Sequence, residues 1–130
     1  MIKRLYKLKI TIKTHEDEII VLEDQFINTL ATNLSWITDD MKTCPFAKQD
    51  DGLIDFQVVR GSWSRWKMLL AFLEIDTGNH IEHELLEYWK VKEINYEIED
   101  GISRFAVDGE ILKQQNTRLT NISRLANVFC

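Results

Sequence analysis

Apolar and polar residues alternate along several short stretches of this sequence, a spacing typical of half-buried β-strands. In residues 7–13 aliphatic side chains alternate with lysines and a threonine, and in residues 91–98 isoleucines and a tyrosine alternate with acidic and amide side chains. Residues 53–59 follow an Asp-Asp-Gly turn signal at positions 50–52 and form a third predicted strand. A chain patterned in this way needs a sheet that buries one face of each strand.

Turn signals separate the predicted strands at short intervals. Asp100-Gly101 predicts a hairpin turn, after which residues 103–107 would form the returning strand. Residues 125–129 would form a closing strand, and no linker or repeat interrupts the chain. Short strands joined by turns predict a mainly β fold, an antiparallel β-sandwich in a single domain that covers residues 1–130.

One segment, at about residues 64–76, predicts a helix instead of a strand. Ser64 suits the N-cap position, and Gly78 lies just past the end. Two apolar stripes follow helical spacing: Trp66, Leu69, Leu70 and Leu73, and Met68, Phe72 and Ile75. A helix that is apolar on more than one face is usually buried. Composition alone therefore favours a helix enclosed between sheets over one whose second stripe lines an apolar ligand site.

A second apolar stretch, residues 24–37, permits two interpretations. Its large apolar side chains are spread evenly, and this favours a strand at residues 25–33. A helix is the alternative, because Phe26, Leu30 and Asn33 also fit helical spacing.

Composition limits the class of protein. The chain is 45% hydrophobic and 28% charged, as expected for a folded globular domain. The net charge is −5 and the basic residues are scattered, which argues against a nucleic-acid-binding surface. The two cysteines form neither a disulfide framework nor a metal motif, and no apolar run reaches the roughly 20 residues of a membrane-spanning helix. We therefore expect a cytoplasmic protein with peripheral membrane contact at most.

The segment with the clearest chemical potential is residues 105–110, where two carboxylates surround a glycine after an apolar strand. Glycine lets the backbone come close to a phosphate or nucleotide, and the oxygens of Asp108 and Glu110 suit Mg²⁺. Phosphoryl transfer needs such a cation, because negative charge spreads over the phosphoryl oxygens. Spacing alone nevertheless favours a plain hairpin turn, since Asp-Gly is a common turn dipeptide.

Other chemical motifs are lacking. His80 and His83 lie close together after the predicted helix, but further ligands at metal-site spacing do not accompany them. We expect these imidazoles to lie on the surface or to line a pocket. The sequence has no P-loop, no Gly-x-Gly-x-x-Gly run and no Gly-x-Ser-x-Gly nucleophile motif.

Several short motifs, each weak alone, occur in a definite order along the chain. They are DDM at 39–41, CPFA at 44–47, DDGLID at 50–55, SR at 64–65, GNH at 78–80, VK at 91–92 and FAVDGE at 105–110. In this order, across roughly residues 16–129, the motifs resemble the C-terminal domain of sphingosine kinases and their diacylglycerol kinase relatives. The GNH and FAVDGE forms favour the sphingosine kinases.

The resemblance implies a two-domain lipid kinase. An N-terminal α/β domain would bind ATP and Mg²⁺ through a Gly-Gly-Asp-Gly-type motif and supply the catalytic Asp. A C-terminal β-sandwich would enclose the sphingoid base or a related lipid. The chain is expected to lack the first domain and the early part of the second, which holds the lipid's polar head, and therefore to be inactive alone.

The resemblance also assigns residues to the two ligands, without a catalytic residue or a direct metal ligand. Asp108, Gly109 and Glu110 match the family's contribution to the nucleotide and Mg²⁺ site. Residues that match the helix-and-loop gate over the lipid tail are Met68, Leu69, Phe72, Ile75 and His80. Residues that fall along the tail tunnel are Leu30, Ile37, Met41 and Ala106. One stripe of the helix would then pack on a sheet while the other covers an alkyl chain, whose burial is worth about 0.8 kcal/mol per CH₂.

Two other classes of function compete with this hypothesis. A stand-alone lipid-binding module without catalysis would explain the missing ATP-binding domain. A structural or interaction β-domain would instead pair its exposed strand edges with a partner chain. Such open edges would also allow a homodimer. The expected partners are thus a lipid and an ATP-binding domain of the same enzyme, without nucleic acid.

Overall fold

The computed structural model describes residues 5–84, 86–99, 105–112 and 116–122, which are mainly in β-strands. The strands are β1 Tyr6–Thr14, β2 Ile19–Thr32, β3 Ile54–Arg60, β4 Leu86–Ile98, β5 Phe105–Val107, β6 Glu110–Leu112 and β7 Thr117–Thr120. Within these residues one α-helix, α1, spans Arg65–Leu73, and a 3₁₀ helix spans Asn79–Glu82. The mainly β, antiparallel fold predicted from the sequence is confirmed.

The predicted strands can be compared with the structure one by one. Those at residues 7–13, 53–59 and 91–98 are confirmed as β1, β3 and part of β4. Residues 25–32 belong to β2, so the strand interpretation of this stretch is correct and the helical alternative is wrong. The described part of the segment 103–107 is β5. The Asp100-Gly101 turn and the strand at 125–129 lie outside the described residues.

Four antiparallel strands close into a ring. β1 pairs with both β2 and β4, and β3 also pairs with both β2 and β4. β7 pairs with β4, while β5 and β6 form a separate hairpin. The long strands β2 and β4 thus take part in both halves of the fold, as expected for a sandwich whose corners are made by strands that change sheets.

A bulge marks each of these corners. Ile27 is an extra residue in β2, because Phe26 pairs with Arg60 while Asn28 pairs with Val59. Lys92 is an extra residue in β4, because Lys13 pairs with Glu93 and Thr14 pairs with Val91. A bulge bends its strand and increases the local twist, which explains how one strand can serve two sheets.

The core lies inside the ring. Its fully or nearly fully buried side chains come from β1 to β4, and they are Leu8, Ile10, Ile12, Leu22, Phe26, Ile54, Phe56, Val58, Val91, Ile94 and Tyr96. The ring of Phe56 stacks on Trp89 at 6.1 Å and meets Tyr96 edge-on at 6.2 Å. Offset and edge-to-face contacts of this kind stabilise a core beyond its area burial.

Helix α1 begins where the sequence predicts but ends at Leu73, before the predicted end at residue 76. The Ser64 hydroxyl caps it by accepting a hydrogen bond from the Lys67 amide at 3.3 Å, and Gly78 follows in a left-handed conformation with φ of 82°. Burial differs from the expectation. Only Ala71 is buried in α1, and the helix packs against the 3₁₀ helix rather than between two sheets. The expectation of an enclosed helix is therefore wrong for the part of the chain that the structure describes.

None of the helices among the described residues is long and apolar enough to cross a bilayer.

Candidate functional site

A cavity of about 810 Å³ lies beside β2 and the β5–β6 hairpin. Most of its lining is apolar and includes Leu30, Ile37, Phe105, Ala106 and Leu119. Pockets of a few hundred to about 1,000 Å³ with apolar walls and few polar groups are typical of small-ligand sites. Segments from several distant parts of the sequence meet here.

The hairpin turn forms one wall of this cavity. Val107 pairs with Glu110, and the two residues between them, Asp108 and Gly109, have φ of 49° and 85°. Positive φ at both central residues is the geometry of a type I′ turn, which Asp-Gly favours. The hairpin turn predicted from the dipeptide is therefore present, and it places Asp108 and Gly109 in the cavity lining.

The two carboxylates of this hairpin are exposed. Among the described residues, neither the Asp108 nor the Glu110 carboxylate has a hydrogen-bond or ion-pair partner, and no group of three acidic, histidine or cysteine side chains could hold a metal ion. Mg²⁺ commonly uses one or two carboxylates and completes its shell with water and substrate phosphates. The hairpin therefore offers two exposed carboxylates but no complete metal site among the described residues.

The other predicted site residues fall into two places. Leu30, Ile37 and Ala106 line the cavity. The predicted gate residues of α1 and the segment that follows are absent from its lining; they are Met68, Leu69, Phe72, Ile75 and His80.

Met41 lies between the cavity and the helix. The Ile37 amide donates to the Met41 carbonyl at 3.1 Å, and the Lys42 amide donates to the Ile75 carbonyl at 3.0 Å. The loop that carries these residues is thus hydrogen-bonded through Lys42 to the segment just after α1. The same loop contributes Ile37 to the cavity lining. It connects the two groups of predicted residues.

His80 is buried and holds the 3₁₀ helix to this loop. Its Nε2 lies 3.1 Å from the Thr43 carbonyl oxygen, which can only accept, so the ring donates from Nε2. Burial lowers the pKa of His80, and the Thr43 carbonyl offsets part of that effect. The imidazole is therefore neutral near pH 7 and links two segments of the fold.

A buried polar cluster around Asp55 was missed by reasoning from the sequence. The Asp55 side chain is completely buried and accepts hydrogen bonds from the Tyr88 hydroxyl at 2.5 Å and from Lys90 Nζ at 3.1 Å. Lys90 also contacts Asp51 at 2.6 Å. The available signal was Asp55 and Gln57, which interrupt an otherwise apolar strand at a spacing of two and so mark a second buried face.

Burial keeps the neighbouring groups of this cluster neutral. It raises the pKa of the Tyr88 phenol, as does the hydrogen bond to Asp55. Burial, with the charge of Asp55, raises the pKa of the Cys44 thiol to about 12. A thiol that does not ionise is a poor nucleophile, so the cluster stabilises the fold and offers no reactive cysteine.

The chain matches one family of known domains along almost its whole length. The family model of the YegS C-terminal NAD kinase beta sandwich-like domain matches residues 4–130. Sphingosine kinase B of Dictyostelium discoideum is 31% identical over 114 residues, which cover 84% of this chain and 15% of that protein. Sphingosine kinase 1 of Homo sapiens is 33% identical over 95 residues, which cover 72% and 25% respectively. The chain thus spans a quarter or less of the length of these relatives.

Solved structures show the same fold. A putative diacylglycerol kinase from Bacillus anthracis str. Sterne superposes with a TM-score of 0.59 and 19% identity, over 92% of this chain and 40% of that one. A second structure of such a protein gives a TM-score of 0.58 over 90% of this chain and 38% of that one, also at 19% identity. The family resemblance inferred from the ordered motifs is confirmed, and the chain belongs to the family of YegS C-terminal NAD kinase beta sandwich-like domains.

Proposed function

We propose that this chain is the lipid-binding portion of an ATP-dependent sphingoid-base kinase. It would contribute the pocket for the lipid tail and one edge of the nucleotide and Mg²⁺ site. The observation that carries the proposal is the largely apolar cavity with the Asp108-Gly109 turn in its lining. The named sphingosine kinases among its relatives support the choice of lipid.

The lipid tail would occupy the cavity against Leu30, Ile37 and Ala106. Each CH₂ removed from water there is worth about 0.8 kcal/mol, so the tail can supply most of the affinity. The lipid would also be contacted from the side of α1, by Met68 and Phe72 and by the following Ile75 and His80. The loop that carries Met41 connects this side to the cavity.

The nucleotide edge would be formed by the β5–β6 hairpin. Asp108 and Glu110 would hold Mg²⁺ directly or through water, and Gly109 would allow close approach of the phosphates. When bound, Mg²⁺ offsets the negative charge that spreads over the phosphoryl oxygens. The catalytic base would come from an ATP-binding domain that works with this chain. Because such a substrate would be taken from a bilayer, the protein would associate peripherally with membranes from the cytoplasmic side.

A kinase assay with the chain joined to the ATP-binding domain of a sphingosine kinase tests both roles. The substrate is a short-chain, water-soluble sphingosine analogue. Ile37→Glu should raise KM for the lipid, because a carboxylate enters an apolar cavity. Ile19→Glu is the matched control, since Ile19 is 59% exposed and Ile37 49%, and only Ile37 lines the cavity. Asp108→Asn and Glu110→Gln should lower kcat/KM for ATP by about tenfold or more.

Each role can fail separately in this assay. Equal lipid KM values for Ile37→Glu and Ile19→Glu would reject the tail pocket, and Ala106→Trp, which fills the cavity without adding charge, checks the same point. Unchanged ATP kinetics in the Asp108 and Glu110 variants would reject the nucleotide edge. Lipid binding without phosphate transfer would instead favour a non-catalytic lipid-binding module.

A further inference from the structure

Two hydroxyl side chains contact each other in the lining of the largely apolar cavity. Tyr96 of β4 and Thr29 of β2 both line it, and the Tyr96 hydroxyl forms a hydrogen bond with the Thr29 side chain. Tyr96 is 4% exposed. Burial raises the pKa of its phenol, and Thr29 offsets part of that effect. The phenol therefore keeps its proton near pH 7 and can donate it in a hydrogen bond.

Tyr96 lies where the cavity meets the core. Its ring meets Phe56 of the core edge-on at 6.2 Å, and it meets Phe105 at the start of β5 at 5.1 Å. The exposed turn residue Asp108 follows Phe105 by three positions, which is about 10 Å along an extended strand. The hydroxyl pair of Tyr96 and Thr29 therefore lies on the buried side of the cavity, and the turn lies on its exposed side.

The hydroxyl pair has hydrogen-bonding groups that the protein leaves unused. Each hydroxyl offers one O–H donor and two acceptor lone pairs, and a bond between two hydroxyls uses only one of the two donors. In the part of the chain that the structure describes, neither side chain has a further polar partner. One O–H and several lone pairs are thus left for a ligand. An alcohol, which both donates and accepts, matches them, whereas an alkyl chain does not.

Two other polar side chains of the lining are less suited to this role. Thr32 lines the cavity, but its Oγ1 already accepts a hydrogen bond from the Leu34 amide at 3.0 Å. Asn28 also lines the cavity but is exposed, so water can satisfy its amide whether or not a ligand is bound. Only a buried polar group makes a ligand without a matching group costly.

The cost of leaving the free O–H unpaired makes the hydroxyl pair selective. Water can satisfy such a group in an open cavity, but a lipid tail that fills the cavity displaces this water. A buried donor without an acceptor costs more than a typical hydrogen bond contributes. Sites built to bond a hydroxyl therefore reject analogues that lack it. We expect the pair to distinguish lipids that have the same chain length and differ in one hydroxyl.

We propose that Tyr96 and Thr29 recognise a hydroxyl on the lipid chain, and that the preferred substrates are sphingoid bases with an additional hydroxyl next to the head group. The lipid hydroxyl accepts from the free O–H of the pair and donates to one of its lone pairs. The reacting end of the lipid lies near the turn at Asp108, so the part of the chain that passes the pair is the part that follows the head group. This inference rests on the proposed lipid-binding function and names its substrate class.

A matched pair of lipids tests the inference. Sphinganine and 4-hydroxysphinganine of equal chain length differ only in the additional hydroxyl. Displacement of a fluorescent sphinganine from the 130-residue chain gives a Kd for each lipid. The wild type should bind 4-hydroxysphinganine about three- to tenfold more tightly than sphinganine.

Three variants assign this preference to the hydroxyl pair. Tyr96→Phe and Thr29→Val each remove one hydroxyl with little change of shape, and each should bring the two Kd values together. Thr32→Val removes a hydroxyl from the same lining, but one that is already bonded to Leu34, so it should keep the ratio of the two values.

The failure of this inference can be distinguished from that of the lipid pocket. Ile37→Glu should weaken both lipids alike, because it places a carboxylate in the cavity. If it does so while the wild type binds both lipids equally, or while Tyr96→Phe and Thr29→Val keep the preference, the pocket stands and the hydroxyl site is rejected. Loss of the preference in Thr32→Val as well would also reject it, because the effect would then not be specific to the pair. If neither lipid displaces the fluorescent sphinganine, both proposals are rejected.

Discussion

At the scale of single residues, Asp55 illustrates how one buried carboxylate joins three segments. It receives hydrogen bonds from two residues of β4, Tyr88 and Lys90, and Lys90 reaches on to Asp51 in the turn before β3. A buried ionised group is tolerated only when it is paired and hydrogen-bonded. The cluster therefore fixes the start of β3 against β4.

Removal of this carboxylate should destabilise the protein strongly. Asp55→Ala should lower the free energy of unfolding by about 3–5 kcal/mol, because Lys90 would keep a partly buried charge with one partner fewer. Glu97→Ala breaks an ion pair with Lys9 in which both side chains are substantially exposed, so it should cost about 1 kcal/mol or less. Urea denaturation measures both values. Similar losses for the two variants would show that the Asp55 cluster contributes no more than a surface pair.

The sequence reveals some of these residue roles and conceals others. Asp108 and Gly109 could be assigned to a hairpin turn because the dipeptide itself favours the required backbone conformation. Asp55 could be placed in a strand, but its partners in β4 could not be identified, because they follow from pairing between distant segments. The local backbone conformation can be predicted from the sequence, whereas contacts between distant segments cannot.

At the scale of elements, α1 shows the same division. Its N-cap and the residues that share a side follow from spacing and are confirmed, whereas it ends at Leu73 instead of the predicted residue 76. Its burial does not follow, because periodicity identifies an apolar stripe without showing whether another layer covers it. The same limit applies to the predicted site, in which Leu30, Ile37 and Ala106 reach the cavity while the α1 residues are absent from its lining.

Two glycines allow a prediction about the connections between elements. Gly78 and Gly109 both have left-handed φ, 82° and 85°. A Cβ at Gly78 would lie 2.9 Å from Pro45 Cγ, whereas at Gly109 it would meet no heavy atom within 4 Å. Gly109→Ala should therefore cost about 1–2 kcal/mol from backbone strain alone. Gly78→Ala should cost at least about 1 kcal/mol more, because the proline must also move.

Urea denaturation of the two variants separates backbone strain from steric contact. Gly78→Ala together with Pro45→Ala should recover the steric part of the loss and leave the strain. Equal stability of Gly78→Ala and Gly109→Ala would mean that the contact with Pro45 relaxes at no cost.

At the scale of the whole molecule, ring closure depends on the two bulges. The bulge at Lys92 shifts the alternation, so that Val91 is buried before it and Ile94 and Tyr96 after it. The sequence contains this change of phase, since the apolar positions along β4 change from odd numbers, Trp89 and Val91, to even numbers, Ile94 and Tyr96. Its consequence, the pairing of β1 with both β2 and β4, requires knowledge of which distant strands meet.

Stability should fall in two stages as the pH decreases. Burial lowers the pKa of His80 in the folded state. Near pH 6.5 the His80 imidazole therefore binds a proton in the unfolded chain but stays neutral in the folded chain. The stability present above about pH 6.5 is then lost as the pH falls towards the folded pKa, by at most about 1.4 kcal/mol per pH unit for one group. The second stage comes at lower pH, because Asp24, whose pKa is lowered by its hydrogen bond from Arg60, becomes protonated.

Urea denaturation between about pH 7.5 and 5.5 isolates the histidine stage. His80→Gln should flatten the profile in this range, because the Gln amide can still donate to the Thr43 carbonyl but does not titrate. His15→Gln is the control, because it removes an imidazole whose side chain is 55% exposed. A slope that persists in His80→Gln would place the titrating group elsewhere and remove His80 as the reason for acid sensitivity. Because His80 is buried where the 3₁₀ helix meets the loop that joins α1 to the cavity, the charge that it gains at low pH should destabilise that part of the fold first.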